Sequence, residues 1–216
     1  GTANIEIRGN SSQQFPKKSY GMETTDALGV DLDTIILQFP KEEDWILHAP
    51  YSDKSLMRNV LIYRLAREMG WYATRTKYFE LVIDGDYRGV YVFMEKLKRD
   101  NDRIDIARLD SLDLTGDDLT GGDVWKVDHG NDPGWASQYD VITVPGENLF
   151  FQQVYPDPFK ILPVQQQYIQ TYVDSFEDAI WSPTFHHPTS GKRYTEYINL
   201  DSWVDNWILN EFSRNV

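Results

Sequence analysis

Cysteine is absent from the 216 residues. That excludes a disulfide framework and any thiolate-ligated zinc site. It is compatible with an oxidising compartment without requiring one. No apolar run approaches the roughly 20 residues of a membrane-spanning helix, and no leader pattern of charged, apolar and small residues is present. The chain opens directly at a strand, so any leader is expected to be gone already. Positive charge is scarce: 21 Lys and Arg face 34 Asp and Glu, a formal net charge of −13. Such an acidic surface argues against general nucleic-acid binding, which needs a basic footprint. It favours solubility and divalent cations. Histidine is also sparse. His186-His187 is a possible metal pair, but neighbours on a strand point apart and no third ligand is near in sequence, so surface histidines are the better reading. Internal repeats and low-complexity tracts are missing.

What is present is a core. Hydrophobic residues make up 41%, too many for disorder. The length fits one large domain or two closely packed lobes. Seven Trp and 13 Tyr point to a thick aromatic core, with a ligand groove as the alternative.

The chain is organised around IEIRGNSSQQFPKKSYGM, residues 5–22. Ile5 and Ile7 alternate with Glu6 and Arg8, the period of a half-buried strand. Gly9-Asn10-Ser11-Ser12 breaks the pattern, and alternation resumes at Lys17. Two strands thus flank a small-residue loop with Arg8 at its entrance and two lysines at its exit. Backbone amides and cations converging where side chains are small suit an anion. A plain surface hairpin with solvated lysines is the competing reading.

Further along, residues 35–39 and 45–47 read as short apolar elements, the second as a strand. Residues 52–69 predict a helix capped by Ser52 or Asp53, with Met57, Leu61, Leu65 and Met69 as its stripe and Gly70 as its stop. Residues 79–94 predict a hairpin turning at Asp84-Gly85-Asp86, its return strand central in the sheet. Residues 100–122 are acidic. They lack the Glu-terminated loop of an EF-hand, so a solvated connection is favoured over calcium. Residues 121–128 read as a strand and 129–162 as long loops with short strands such as 140–144. Pro163 to Trp181 predicts a helix, and a last one runs from Ser202 with Trp203, Val204, Trp207, Ile208 and Phe212 as its apolar face. Strands dominate residues 1–95; loops and helices follow in 96–216. The expected class is α+β, with a strand-rich N-lobe and a helix-rich partial C-lobe.

Arg8-Gly9-Asn10-Ser11-Ser12 with Phe15-Pro16-Lys17-Lys18-Ser19-Tyr20 resembles the opening signature of the CotH family of spore coat proteins, which is similar to atypical secretory-pathway protein kinases. Four more blocks follow in order. They are Asp44-Trp45-Ile46-Leu47 with residues 51–59, Gly89-Val90-Tyr91 with Glu95-Lys96, Gly121-Gly122 with Lys126-Val127-Asp128, and residues 210–215. Asp123 departs from the pattern, standing where a large apolar or aromatic residue is expected. The resemblance implies a kinase-like fold with a nucleotide-binding N-lobe in residues 1–95, and ATP and Mg as cofactors. It implies an exported or coat protein as substrate and a secreted, cell-surface or spore-surface location.

The site residues follow from the same resemblance. Ser11, Ser12 and the loop amides would cradle phosphate oxygens. Lys18, on the face of Tyr20 and Met22 by alternation, would pair with phosphate, and Lys17 is the close alternative. Arg8 would pair with phosphate or with a helix carboxylate such as Glu68. Glu95 would mark the hinge that meets adenine, and Lys126 and Asp128 would reach the cleft. The catalytic and metal-binding aspartates are expected after Val216, so no catalytic residue is assigned and transfer by this chain alone is not expected. Two other readings stand beside it. One is a non-catalytic module assembling a coat or extracellular complex. The other is a carbohydrate-binding domain with Trp135, Tyr139 and Trp181 as a stacking platform.

Overall fold

The computed structural model describes residues 1–128, 132–141 and 144–214. The chain falls into two compact units: residues 1–97 together with those from Val204 onward, and residues 98–203.

The first unit is built on a five-stranded antiparallel sheet ordered β1-β2-β3-β5-β4. Its strands are β1 (Thr2–Arg8), β2 (Ser19–Thr25), β3 (Asp44–His48), β4 (Thr76–Ile83) and β5 (Asp86–Glu95). A single 3-10 turn, Ser11–Gln14, lies between β1 and β2. Asp84 and Gly85 both have positive φ, which is why Asp-Gly closes the β4–β5 hairpin. β5 lies between β3 and β4, with Tyr91 to Glu95 all buried. Phe39, Trp45, Leu47, Leu81, Tyr91 and Phe93 form the core on one face of the sheet, with Tyr20 and Met22 packed against it. The Trp45 and Phe93 rings stack at 4.9 Å.

Helix α1 (Arg58–Glu68) starts later than the periodicity predicts. Leu56 sits at φ 61, so the helix does not extend back through it. Asp53 still serves the helix start from upstream: its Oδ2 accepts the Arg58 N–H at 2.9 Å. Met57 and Met69 are exposed and Ala66 is buried, so the stripe is narrower than the spacing suggests. The apolar element at 35–39 is also less buried than expected. Leu37 and Gln38 have positive φ, and only Phe39 is fully covered.

The second unit holds a short helix α2 (Gly116–Leu119), then β6 (Val124–Val127), β7 (Gly134–Val141), β8 (Val144–Tyr155) and α3 (Pro163–Trp181). The strands form one antiparallel sheet ordered β6-β8-β7. β7 and β8 thus replace much of the long loops with short strands expected over 129–162; residues 129–131, and 142–143 within the expected strand 140–144, lie outside the described residues. The strands escape a hydrophobic reading because Ser137, Gln152 and Gln153 are buried polar residues. Trp135 and Phe151 meet Ile169 and Val173 of α3 in a small core. The second unit is therefore mixed, not simply helix-rich. Helix α4 (Leu200–Arg214) closes the described chain. It buries Leu209 and leaves Trp203, Val204, Trp207, Ile208 and Phe212 exposed, the reverse of the predicted apolar face. Within the first unit, Trp71 Nε1–H donates to Asp205 Oδ2 at 2.7 Å.

Candidate functional site

Paired residues across a strand share a face, and alternate residues swap faces. Arg8 pairs with Ser19 and Glu6 with Gly21, while Ile7 pairs with Tyr20 and Ile5 with Met22. Tyr20 and Met22 face the aromatic core, so Arg8, Ser19, Glu6 and Gly21 face away from it. Two neighbouring cavities open on that second face. One, of about 430 Å³, lies along the β1–β2 hairpin and is bounded by Glu6, Gly21, Asp44 and Lys96. The other, of about 290 Å³, is lined by Ser12, Ser19, His48, Asn59, Tyr63 and Glu95, among others. Arg8, Gly9 and Ile46 border both.

Arg8 is the cation here. Among the described residues, no carboxylate or carbonyl takes an ion pair or hydrogen bond from its guanidinium. Partial desolvation lowers its pKa, with Glu6 and Tyr63 pulling the other way. Gly9 has φ +108, and a Cβ there would collide with Ser12 Oγ. Only glycine lets the serine hydroxyl close onto the turn in this way. His48 is held below its ordinary pKa, first by desolvation, then by Arg8 and more weakly by Lys17, against an opposing pull from Asp53. A neutral imidazole fits its neighbour: Asn59 Nδ2 lies 3.2 Å from His48 Nε2, which then accepts. Cavity, free guanidinium, small-residue turn and neutral His–Asn pair together can hold a phosphate-sized anion.

The structure places the remaining expected residues as follows. Ser12 lines the second cavity; Ser11 does not. Lys18 does keep the face of Tyr20, but that is the core side. Its Nζ donates to Gln13 O at 2.6 Å and it lines a separate groove with Lys17. Glu68 forms an exposed ion pair with Arg64 at 2.8 Å, away from Arg8. Glu95 lines the cavity at 1% exposure, yet both its oxygens are used. Oε1 takes Arg75 Nη1 at 2.5 Å and Oε2 takes the Arg75 N–H at 2.8 Å. Its own N–H points to Arg75 O at 3.4 Å, so Glu95 still belongs to the strand ladder. Lys126 and Asp128 pair with each other at 2.6 Å in the second unit. The residues missed by sequence reasoning are Ser19, His48, Asn59 and Tyr63. Asn59 and Tyr63 stand four apart on α1, a polar spacing on an amphipathic helix that was open to notice.

The cavity fits phosphate better than metal. Among the described residues, three acidic groups converge at Asp33, Glu42 and Glu43, none of which lines either cavity. Glu42 Oε1 there already accepts the N–H of Glu43 at 2.9 Å.

In the second unit, Trp135 is buried against Phe151, and Tyr139 stacks on Trp181 at 5.1 Å. They do not form one exposed platform. Asp123 accepts from Gln153 Nε2 at 3.1 Å, and burial pushes its carboxyl up to about 6. Its ordinary value is 3.8. The folded chain therefore binds more protons than the unfolded one between these values, and stability falls as pH rises through that window. Asp123→Asn is expected to raise the thermal midpoint at pH 8 and not at pH 4. The gain is on the order of 1 kcal/mol after solvent screening. Melting curves across pH check it.

No curated protein matches the chain. The family model CotH, described as CotH kinase protein, matches residues 5–216. By that match, which spans almost all of its length, the chain belongs to the CotH family.

Proposed function

We propose that the first unit binds the phosphate chain of ATP, and that the chain serves as a CotH-like protein kinase domain in its parent protein. The substrate class would be Ser or Thr hydroxyls of exported or coat proteins, at the cell or spore surface. The observation that carries the reading is Arg8, a guanidinium with no partner among the described residues, set beside Gly9 and Ser12 over a cavity. Charge-assisted bonds from Arg to phosphate oxygens are among the strongest available. The adjoining hairpin cavity gives room for the nucleoside.

Transfer forms a bond from the hydroxyl oxygen to the γ-phosphorus, expels ADP and hands the hydroxyl proton to a base. Metal ions and a carboxylate carry most of that chemistry. The resemblance puts those aspartates after Val216, and Arg8 and Ser12 position phosphate without supplying them. A second reading is an assembly module without chemistry, in which Glu95, held by Arg75, serves the sheet alone.

Calorimetry with adenosine and ATP tests the proposal. ATP should bind more tightly than adenosine. Arg8→Gln should remove that increment, about 10- to 100-fold by the usual range for charged hydrogen bonds, with the melting midpoint unchanged. Equal affinity for both ligands, or an unaffected Arg8→Gln, contradicts it.

A further inference from the structure

On the opposite face of the sheet from Arg8 lies a groove of about 320 Å³. Tyr20 and Tyr91, stacked at 6.3 Å, form its floor. Lys17, Lys18 and Arg88 line it against one carboxylate, Asp86. Local charge is thus positive on a chain whose net charge is −13.

The cations are held in place. Lys17 Nζ donates to Val90 O at 2.5 Å and sits 4.5 Å over the Tyr91 ring. Gly89, at φ +86, lies beside that nitrogen, and a Cβ there would meet it only in ordinary contact at 3.7 Å. Lys18 Nζ donates once, to Gln13 O. An ammonium has three donors, so each lysine keeps capacity for an incoming acceptor. Arg88 pairs with Asp86 at 3.1 Å, both well exposed. Exposed pairs of this kind are weak and exchange readily for another anion. Glu80, which does not line the groove, accepts from the Tyr87 hydroxyl at 2.7 Å.

We infer that this groove binds an extended acidic peptide segment of a partner protein. Tyr51 and Tyr87 also line the groove and are 40% and 59% exposed, which offers a chain of several residues aromatic surface beside the cations. A lone ion would use neither ring. Tyr and Arg are enriched at protein interfaces, and charge complementarity directs an acidic segment here on a molecule that repels it elsewhere. The inference stands independently of the nucleotide reading, because the two sites share no lining residue.

The test uses the 216-residue chain without nucleotide. A labelled octaglutamate peptide is titrated by fluorescence anisotropy, with octaglutamine and inorganic phosphate as comparison ligands. Octaglutamate is expected to bind with salt-dependent affinity, to shift the NMR signals of Tyr51 and Tyr87, and to weaken at least tenfold in the Lys18→Ala/Arg88→Ala double variant. Octaglutamine should not bind. Charge reversal by Arg88→Glu should abolish binding while circular dichroism stays unchanged. Equal octaglutamate affinity in the double variant, binding of octaglutamine, or displacement by millimolar phosphate alone overturns the inference.

Discussion

Glu95→Ala is expected to cost about 3 kcal/mol of stability, the lower end of the range for breaking a buried ion pair. Glu95 is 1% exposed and takes both the side chain and the backbone N–H of Arg75. Removing it takes a charged partner from a guanidinium that is about one-third exposed (34%) and removes the acceptor of the Arg75 backbone N–H beside β5. Arg67 feels the change too, since Glu95 is the main influence offsetting its desolvation. Urea denaturation should show a lower midpoint with an unchanged slope. Glu95→Gln should lose less, because the amide oxygen can still accept one bond. A loss below about 1 kcal/mol for the alanine variant, typical of an exposed pair, would mean that Glu95 is a cleft carboxylate available for other duties.

Gly122→Ala is expected to be at least as damaging, about 3 kcal/mol or more, because two named mechanisms combine there. Gly122 has φ +85, a conformation that costs any L side chain roughly 1–2 kcal/mol. A Cβ would also collide with the carbonyl oxygen of Ala107, which is backbone and cannot swing aside. Gly121→Ala is the control: its Cβ would stand 3.1 Å from the Ala107 methyl, a tight contact at ordinary φ. Its loss should be clearly smaller. The second glycine of the Gly121-Gly122 block is thus required by chain geometry before β6, with no need for a ligand.

The sequence carried unequal amounts of this. The β4–β5 hairpin was legible because Asp84-Gly85 has the chemistry its turn requires. Helix α3 was legible from Pro163 and the i+4 repeat of apolar residues. The β6-β8-β7 sheet was not, because its interior holds polar side chains, some of which bond to partners distant in sequence. Ser137 Oγ, for example, donates to Glu177 Oε1 at 2.5 Å, 40 residues away. At the site, alternation correctly put Lys18 with Tyr20. It did not say which face would be filled by Trp45, Tyr91 and Phe93 and which would stay open. The open face is the one that carries Arg8. His48, Asn59 and Tyr63 come from a strand end and a helix, and only folding brings them to Arg8.

The most direct measurement is an NMR titration of the His48 imidazole, in free protein and with ATP, in the native sequence and in Arg8→Gln. Arg8 helps hold His48 below its ordinary pKa. Phosphate beside Arg8 should therefore raise the His48 pKa in the native protein. Arg8→Gln should raise it without ligand and abolish the response to ATP. A His48 pKa that stays fixed while ATP binds would place the nucleotide somewhere other than the Arg8 cavity and contradict this account.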